Sequence, residues 1–333
     1  MSNNSIIISR DPVSGNVSAQ LLNMGGENIG SVGSFTGSAI LQFGTTDDGM
    51  ESELMVNSCY GGANVNMSNA SHNVSFWGKD LTVDITDNTH ESNIQWNASG
   101  SKLSALNTNK LVNLESTAQA HDNIFEMGWG EANIIDSGSY NITQLHSGNT
   151  AFATTANSVG AVVYGGSGNN TFSLAGSAGV FVQENGCANF LVGGMMNAVF
   201  SSALGNIVEG GQNSLVVAAN PFSSLTMSGI KSVGIVNSDM KTTRGLIDPD
   251  DKRSVVFNIG ADSFKDDDGD VFSLANYLND NGFSNLHVGE YTDWYFSGTG
   301  HRNHITSSLV ASVLNPYLEM GDDGYKAQHG SNA

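Results

Sequence analysis

The most regular feature of the chain is a short apolar run that follows an asparagine and recurs between residues 64 and 213. The runs begin at Asn64, Asn73, Asn93, Asn113, Asn123, Asn133, Asn141, Asn170, Asn189, Asn197, Asn206 and Asn213. Successive steps are 9, 20, 20, 10, 10 and 8 residues up to Asn141, and 19, 8, 9 and 7 residues from Asn170 onward. A step of about nine residues, doubled where one run is missing, predicts a parallel β-solenoid with two short strands in each coil of about 18–20 residues.

The local chemistry of the repeat supports this prediction. A strand advances about 3.3 Å per residue, so a short strand directs only about three side chains inward. Apolar runs such as Ile124-Phe125, Ile134-Ile135 and Phe190-Leu191-Val192 are expected to fill the space between two strand layers. Asparagine at a corner accepts left-handed backbone angles and bonds its counterparts in adjacent coils. A disordered linker rich in Gly and Asn is the alternative, but it lacks regularly spaced large apolar residues. The predicted fold class is therefore all-β.

Changes in composition predict three parts. Residues 1–50 contain short strand patterns separated by turns, which suggests irregular first coils or a cap. Residues 51–230 contain the Asn-led repeats. Residues 231–333 lose the repeat and are predicted to form a small mixed α/β cap, or an export or assembly domain, with helices over 273–281 and 306–314. Such a cap would cover the open strand edge of the last coil.

Charge narrows the possible partners. The chain has 32 acidic and 12 basic residues and a net charge of −20, which argues against nucleic acid and against an anionic membrane surface. No apolar run has the length of a transmembrane helix. Charged residues make up only 13% of the chain, and Glu184 and Glu209 are the only ones between Asn141 and Ile230. These coils must therefore present a neutral Ser, Thr, Asn and Gly surface to water.

Two features bear on the cellular compartment. Cys59 and Cys187 lie far apart and fit no metal-ligand spacing, so they are either a disulfide or two isolated buried thiols. The first residues lack the basic start and the apolar stretch of a classical signal peptide. We expect the protein either to stay in the cytoplasm or to leave the cell by a route that does not read its N-terminus.

Residues 165–173, Gly-Gly-Ser-Gly-Asn-Asn-Thr-Phe-Ser, resemble the glycine-rich nonapeptide G-G-x-G-x-D-x-U-x of RTX proteins, with Asn170 in the place of Asp. Weaker echoes occur at residues 193–199 and 210–215. The resemblance implies a parallel β-roll with calcium in its turns, exported by type I secretion through a C-terminal signal to the cell surface or beyond. Because Asp supplies the charged calcium ligand and Asn does not, calcium is not expected in the repeats.

The densest acidic cluster is the candidate metal site, and calcium is the cofactor it suggests. It consists of Asp262, Asp266, Asp267, Asp268 and Asp270. The spacing does not fit an EF-hand. Like charges packed this closely must be solvated or share a cation, so the segment is either a hydrated acidic turn or a calcium site. His301 and His304 have a spacing that suits a metal on a helix, but no third ligand is near them in the sequence.

Sequence motifs for catalysis are lacking: there is no G-x-S-x-G, no H-E-x-x-H and no P-loop. Four acids on successive predicted coils could line one face, as in a polysaccharide lyase or epimerase. They are Asp84, Glu115, Glu126 and Asp136. Trp77, Trp96 and Trp129 are interpreted as core or edge packing, with a glycan-stacking platform as the alternative.

Two functions follow from these patterns. The preferred hypothesis is an exported extracellular structural or adhesive solenoid, not an enzyme, that self-associates into a filament, surface layer or biofilm matrix. Its basis is that neutral faces and open coil ends allow copies to stack. The alternative is a polysaccharide-binding or polysaccharide-modifying solenoid, such as a lyase, an epimerase or a tailspike, with acids and Trp side chains along one groove.

Overall fold

The computed structural model describes residues 73–86, 91–230 and 232–236, and the shorter stretches 4–10, 16–22, 28–36, 39–43, 53–58, 63–68, 241–244, 254–258, 286–288, 293–296 and 302–304. All regular structure in these ranges is β-strand, without any helix. The chain divides into two compact units, Met1–Asn170 and Thr171–Ala333, which we call the N-terminal and C-terminal units.

The described residues of the N-terminal unit form sixteen complete strands. They are β1 (Asn4–Arg10), β2 (Asn16–Leu22), β3 (Asn28–Thr36), β4 (Ala39–Phe43), β5 (Glu53–Ser58), β6 (Ala63–Ser68), β7 (Asn73–Lys79), β8 (Leu81–Thr86), β9 (Ser92–Ser99), β10 (Lys102–Asn107), β11 (Val112–Ser116), β12 (Ile124–Met127), β13 (Ala132–Asp136), β14 (Ile142–Leu145), β15 (Thr150–Thr154) and β16 (Val162–Gly165). The next strand, β17 (Asn169–Leu174), passes from one unit into the other.

Alternate strands of the N-terminal unit build two parallel sheets. Sheet A has the order β15-β13-β11-β9-β7-β5-β1, and sheet B has the order β16-β14-β12-β10-β8-β6-β4. Pairing is in register, so that Asn113 lies between Asn93 and Asn133 in the neighbouring coils. At the first coil, β2 pairs with β1 and β3 with β2 in antiparallel fashion. The predicted parallel β-solenoid is confirmed.

The C-terminal unit continues the same alternation of strands. Its strands are β18 (Val180–Gln183), β19 (Cys187–Val192), β20 (Ala198–Ser201), β21 (Asn206–Glu209), β22 (Leu215–Ala218), β23 (Ser224–Met227), β24 (Ser232–Val236), β25 (Lys241–Arg244), β26 (Ser254–Asn258), β27 (Leu286–Val288), β28 (Asp293–Phe296) and β29 (Arg302–His304). Sheet A has the order β25-β23-β21-β19 and sheet B the order β26-β24-β22-β20-β18. Strands β27, β28 and β29 form a separate antiparallel sheet.

The interior between the sheets is filled by stacked side chains. In the N-terminal unit the ring centroid of Trp96 lies 5.1 Å from that of Phe76 and 5.6 Å from that of Phe125, and all three rings are fully buried. In the C-terminal unit Phe172 and Phe190 stack at 4.4 Å with nearly parallel planes. Each such ring contributes about 1.5–3 kcal/mol by leaving water.

Between β7 and β22 the structure describes every turn from sheet A to sheet B, and each such turn contains one residue in the left-handed backbone region with φ between 53° and 68°. These residues are Asp80, Gly100, Asp122, Tyr140 and Gly160 in the N-terminal unit, and Ala178, Met196 and Asn213 in the C-terminal unit. The prediction that corner asparagines take left-handed angles is therefore wrong except at Asn213. Asn123, Asn141 and Asn197 instead follow the left-handed residue and are buried.

The apolar residues after the asparagines do not all face the interior. Ile135 and Leu191 lie on the outer face of sheet A with exposed fractions of 44% and 54%, and Ile124 lies on the outer face of sheet B. Side chains in a strand alternate between the two faces, so only one member of each apolar pair can point inward. The three-part division of the chain stays a prediction, and the helices predicted over 273–281 and 306–314 lie outside the described residues.

Candidate interaction surface

The outer face of sheet A in the N-terminal unit carries a ladder of amide side chains. Asn113 Nδ2 donates to Asn93 Oδ1 at 2.8 Å, and Asn133 Nδ2 donates to Asn113 Oδ1 at 2.9 Å. Each of these asparagines is the second residue of its strand and points to solvent, because its two neighbours point into the core. Beside the ladder runs a second outward column, which contains Glu115 and Ile135.

On the outer face of sheet A in the C-terminal unit, strands β19, β21 and β23 have the same design without charge. Asn206 Nδ2 donates to Asn189 Oδ1 at 3.3 Å, and Ser224 Oγ donates to Asn206 Oδ1. The neighbouring column pairs Leu191 with Val208, which are 54% and 39% exposed. We call this surface, made of Asn189, Leu191, Asn206, Val208, Ser224 and Thr226, the neutral face. Its alternation is visible in the run Asn189-Phe190-Leu191-Val192, but sequence reasoning assigned Leu191 to the core.

A chain of buried polar side chains lines the corner from sheet A to sheet B in the N-terminal unit. Asn123 Oδ1 accepts the Ser101 N–H at 3.1 Å, and Asn123 Nδ2 donates to Ala98 O at 2.9 Å and to Asn141 Oδ1 at 3.0 Å. Asn141 Nδ2 donates in turn to Asp136 Oδ1 at 2.8 Å. The same oxygen accepts bonds from the Ser116 hydroxyl and the Gly138 N–H. Backbone groups left open at the turns are thus satisfied by side chains.

The C-terminal unit places a second buried acid at the equivalent position. Glu209 is the last residue of its sheet A strand, as Asp136 is of β13, and it is fully buried. Its Oε1 accepts the Ser232 hydroxyl at 2.8 Å and its Oε2 accepts the Gly229 N–H at 3.2 Å. Burial raises the pKa of Glu209, and the bonds from Ser232, Gly211 and Gly229 offset part of that rise. Spacing in the sequence gave no sign of this site.

The raised pKa of Glu209 makes stability depend on pH. The folded protein holds a proton on this carboxyl at pH values where the unfolded chain has lost it, so the free energy of unfolding falls as pH rises from the usual Glu value through the raised one. We expect Glu209→Gln to remove this decrease and to gain stability over wild type as pH rises. Urea unfolding at several pH values measures it. Glu184→Gln, which removes a half-exposed charge from the same unit, is the control, and identical pH dependence in both variants would contradict the prediction.

The four acids proposed to line one face do not do so. Glu115 is exposed on the outer face of sheet A, whereas Asp136 points into the core. Asp84 and Glu126 lie on the outer face of sheet B, where Glu126 Oε1 pairs with Lys102 Nζ at 2.8 Å. Side chains alternate along a strand, so whether a residue lies an odd or an even number of positions from the corner decides whether it points inward or outward. The four acids differ in this number and in the sheet to which they belong. The structure does not bring these carboxylates together as a catalytic pair.

The remaining candidate residues divide by burial. Trp96 is a core residue, Trp77 is half-buried, and Trp129 is 76% exposed in the corner between Gly128 and Gly130. Cys187 is a half-buried free thiol at the start of β19, and Cys59 lies outside the described residues. The candidate metal site, Asp262, Asp266, Asp267, Asp268 and Asp270, also lies outside them, as does His301, while His304 ends β29.

Asn170, which stands where the RTX repeat has its Asp, makes a bond within the protein. It is 1% exposed, and its Oδ1 accepts the Thr150 N–H of the preceding coil at 3.0 Å. An amide oxygen used in this way holds the turn without a cation. We expect circular dichroism to show the same β content in calcium and in a chelator, and a chain that is unfolded without calcium would contradict this.

Nowhere in the described ranges do three His, Cys, Asp or Glu side chains come together as potential metal ligands. These ranges include no helix with the length and apolar character needed to span a membrane. No protein family, curated protein or solved structure significantly matches the chain.

Proposed function

We propose that this protein is an exported extracellular β-solenoid with a structural or adhesive role, in which copies of the chain associate through the neutral face. One observation carries the proposal: the outward positions of β19, β21 and β23 that form the neutral face hold no charged residue, although the chain as a whole has a net charge of −20. The first charged residue in register with them is Lys241 of β25, which pairs with Ser224. Of the two acids between Asn141 and Ile230, Glu209 is buried and Glu184 lies in a turn.

Electrostatics favours this face as the place of contact. Two copies of a chain with so large an acid excess repel each other, and the repulsion is smallest where neither surface carries charge. The exposed Leu191 and Val208 gain about 25 cal/mol for each Å² that a partner covers. The adjacent amides can form hydrogen bonds with a second copy of the ladder, so covering them leaves few polar groups unpaired.

The extracellular location is part of the proposal, and its support is the resemblance of residues 165–173 to RTX repeats. Export by type I secretion would deliver the chain outside the cell, where a neutral, regular surface suits a filament, a surface layer or a biofilm matrix. Calcium remains a proposed cofactor only for the acidic cluster at 262–270, because the repeat corners described above use amides.

The oligomeric state tests the proposal. We expect sedimentation velocity at micromolar concentrations to show multimers of the wild type, with and without calcium. Leu191→Asp combined with Val208→Asp should weaken association at least tenfold, because it places charge on both copies. Ile124→Asp is the control, since Ile124 is 37% exposed but lies on the outer face of sheet B in the N-terminal unit. A wild type that is monomeric throughout, or an equal loss in the control, would overturn the proposal.

A polysaccharide-binding role is the second candidate, favoured by the exposure of Trp129. An indole 76% accessible between two glycines can stack on a sugar ring. Under this alternative, Trp129→Ala should abolish the altered mobility of the protein in gels that contain alginate or pectin, while Phe222→Ala should not. Equal mobility of wild type with and without polysaccharide would remove the alternative.

A further inference from the structure

One exposed corner of the C-terminal unit pairs an asparagine with a glycine. Asn185 and Gly186 lie between β18 and β19, where the chain passes from sheet B to sheet A, and both residues are exposed. Gly186 has a φ of 75°, in the left-handed region that glycine adopts without strain. Elsewhere in the chain Asn precedes Gly only at residues 281 and 282, outside the described residues. Asn185 is therefore the one described asparagine whose successor has no side chain.

An asparagine followed by glycine can react with its own backbone. The glycine nitrogen attacks the side-chain carbonyl carbon and gives its proton to solvent, while the bond from that carbon to Nδ2 breaks and Nδ2 leaves with a solvent proton as ammonia. Water opens the resulting cyclic imide at either carbonyl group and leaves aspartate or isoaspartate. A Cβ on the attacking residue would crowd this approach, and glycine has none. The pair thus needs only water as a co-reactant.

The two reacting groups make no hydrogen bond within the described residues. Neither the Gly186 N–H nor the Asn185 side-chain amide has a partner there. The Asn185 backbone carbonyl, in contrast, accepts a bond from Nε2 of the buried Gln183, and the Gly186 carbonyl accepts the Leu204 N–H at 3.3 Å. The corner is thus held through its carbonyl groups, and these bonds leave the attacking nitrogen and its target unoccupied.

Two exposed asparagines outside the strands of the N-terminal unit lack this freedom. The N–H that follows Asn149 donates to Asn170 Oδ1 at 3.0 Å. The N–H that follows Asn157 donates to Thr155 O at 3.0 Å. Each of these nitrogens belongs to a residue with a Cβ, and each N–H would have to leave its acceptor before the nitrogen could attack. Asn185 therefore differs from them in its hydrogen bonds as well as in its successor.

We propose that Asn185 is a site of spontaneous deamidation in the folded protein, with the Gly186 nitrogen as the attacking group. The reaction places a new carboxylate next to Glu184, in a stretch from Asn141 to Ile230 that has only two acids. The other acid, Glu209, is buried, so the surface of these coils gains negative charge as the protein ages. The inference does not depend on the proposed self-association.

Peptide mapping of the full chain by mass spectrometry tests the proposal. The folded protein is incubated in mildly alkaline buffer made with water enriched in heavy oxygen, and conversion is followed at Asn185, Asn149 and Asn157. We expect Asn185 to give aspartate and isoaspartate that contain solvent oxygen. It should react about tenfold faster than the other two, because their attacking N–H groups must first break a hydrogen bond. Equal rates at the three sites, or aspartate without isoaspartate, would overturn the proposal.

Incubation in urea separates the effect of the fold from that of the Asn-Gly sequence. Unfolding frees the N–H groups that follow Asn149 and Asn157, so both sites should react faster than in the folded protein. The rate at Asn185 should stay within about twofold, because the folded corner already leaves its reacting groups open to solvent. Asn185→Gln is the matched control and should show no conversion at residue 185 in the same period, since its longer side chain closes a ring far more slowly. An Asn185 that reacts severalfold more slowly in the folded protein than in urea would contradict the proposal.

Discussion

Gly194→Ala is expected to lower the free energy of unfolding of the C-terminal unit by about 3 kcal/mol or more, the upper range for forcing an atom into a filled space. A Cβ at this position would lie 1.8 Å from the carbonyl oxygen of Gly176, one coil away. That oxygen belongs to the backbone and cannot rotate aside. The same contact recurs one coil further, where a Cβ at Gly211 would lie 1.9 Å from the oxygen of Gly194.

Gly193→Ala is the matched control, since the two glycines are neighbours in one turn. The nearest atom to a Cβ on Gly193 is Leu174 O at 3.7 Å, an ordinary contact. We expect this variant to stay within about 0.5 kcal/mol of wild type. Urea unfolding followed by circular dichroism measures both variants, and equal losses would show that close stacking of the corners is not what requires glycine.

Asn123→Ala should cost about 3–5 kcal/mol, because a buried group left without its hydrogen bond costs about 1–3 kcal/mol and the variant strands more than one. The Ser101 N–H and the Ala98 carbonyl lose their partner, and so does one lone pair of Asn141 Oδ1. The side chain is 0% exposed, so water cannot replace it without opening the corner.

Asn113→Ala provides the comparison, because Asn113 belongs to the outer ladder. It donates to Asn93 and accepts from Asn133 on a face open to water, which can take over both bonds. The expected change is within about 0.5 kcal/mol. Thermal unfolding of both variants decides the matter, and a cost for Asn113→Ala as large as that for Asn123→Ala would mean that the outer ladder holds the fold.

The solenoid was predictable from sequence because stacking forces repetition. Each coil of fixed length brings the chain back to the same place in the cross-section, one strand spacing further along the axis, so Phe76 and Trp96, which stack on each other, lie one coil apart in sequence. The spacing could not predict the phase within a coil, that is, which residue of each run points inward. Asn123-Ile124-Phe125 and Asn133-Ile134-Ile135 look alike, yet Asn123 is buried and Asn133 is exposed.

Phase depends on the left-handed corner residue, and that residue has no consistent type. Asp122 directly precedes Asn123, whereas Asn133 follows a strand residue, Ala132. Tyr140, Ala178 and Met196 also take left-handed angles, which residues other than Gly, Asn and Asp seldom adopt. The stacked coils impose these angles, and a single coil read alone gives no reason for them.

The candidate surface was predictable only in its neutrality. The scarcity of charge between Asn141 and Ile230 is visible in the sequence and led to the self-association hypothesis. The exposed pair Leu191 and Val208, and the burial of Glu209, required knowledge of which face each strand position takes. The same uncertainty of one position, which decides whether a side chain faces inward or outward, explains why the four acids do not share one face. Glu115 lies on the outer face of sheet A, Asp84 and Glu126 lie on the outer face of sheet B, and Asp136 lies in the core.

The central claim is that residues one coil apart in sequence are neighbours in space. Spin labels at Asn113 and Asn133, twenty positions apart, should lie on adjacent strands about 5 Å apart and should broaden each other's spectrum strongly. Labels at Asn113 and Ile124, only eleven positions apart, should not, because those residues face outward from opposite sheets. Both cysteines are first replaced by Ser. The account predicts broadening for the distant pair alone; broadening for the nearer pair, with none between 113 and 133, would contradict the solenoid.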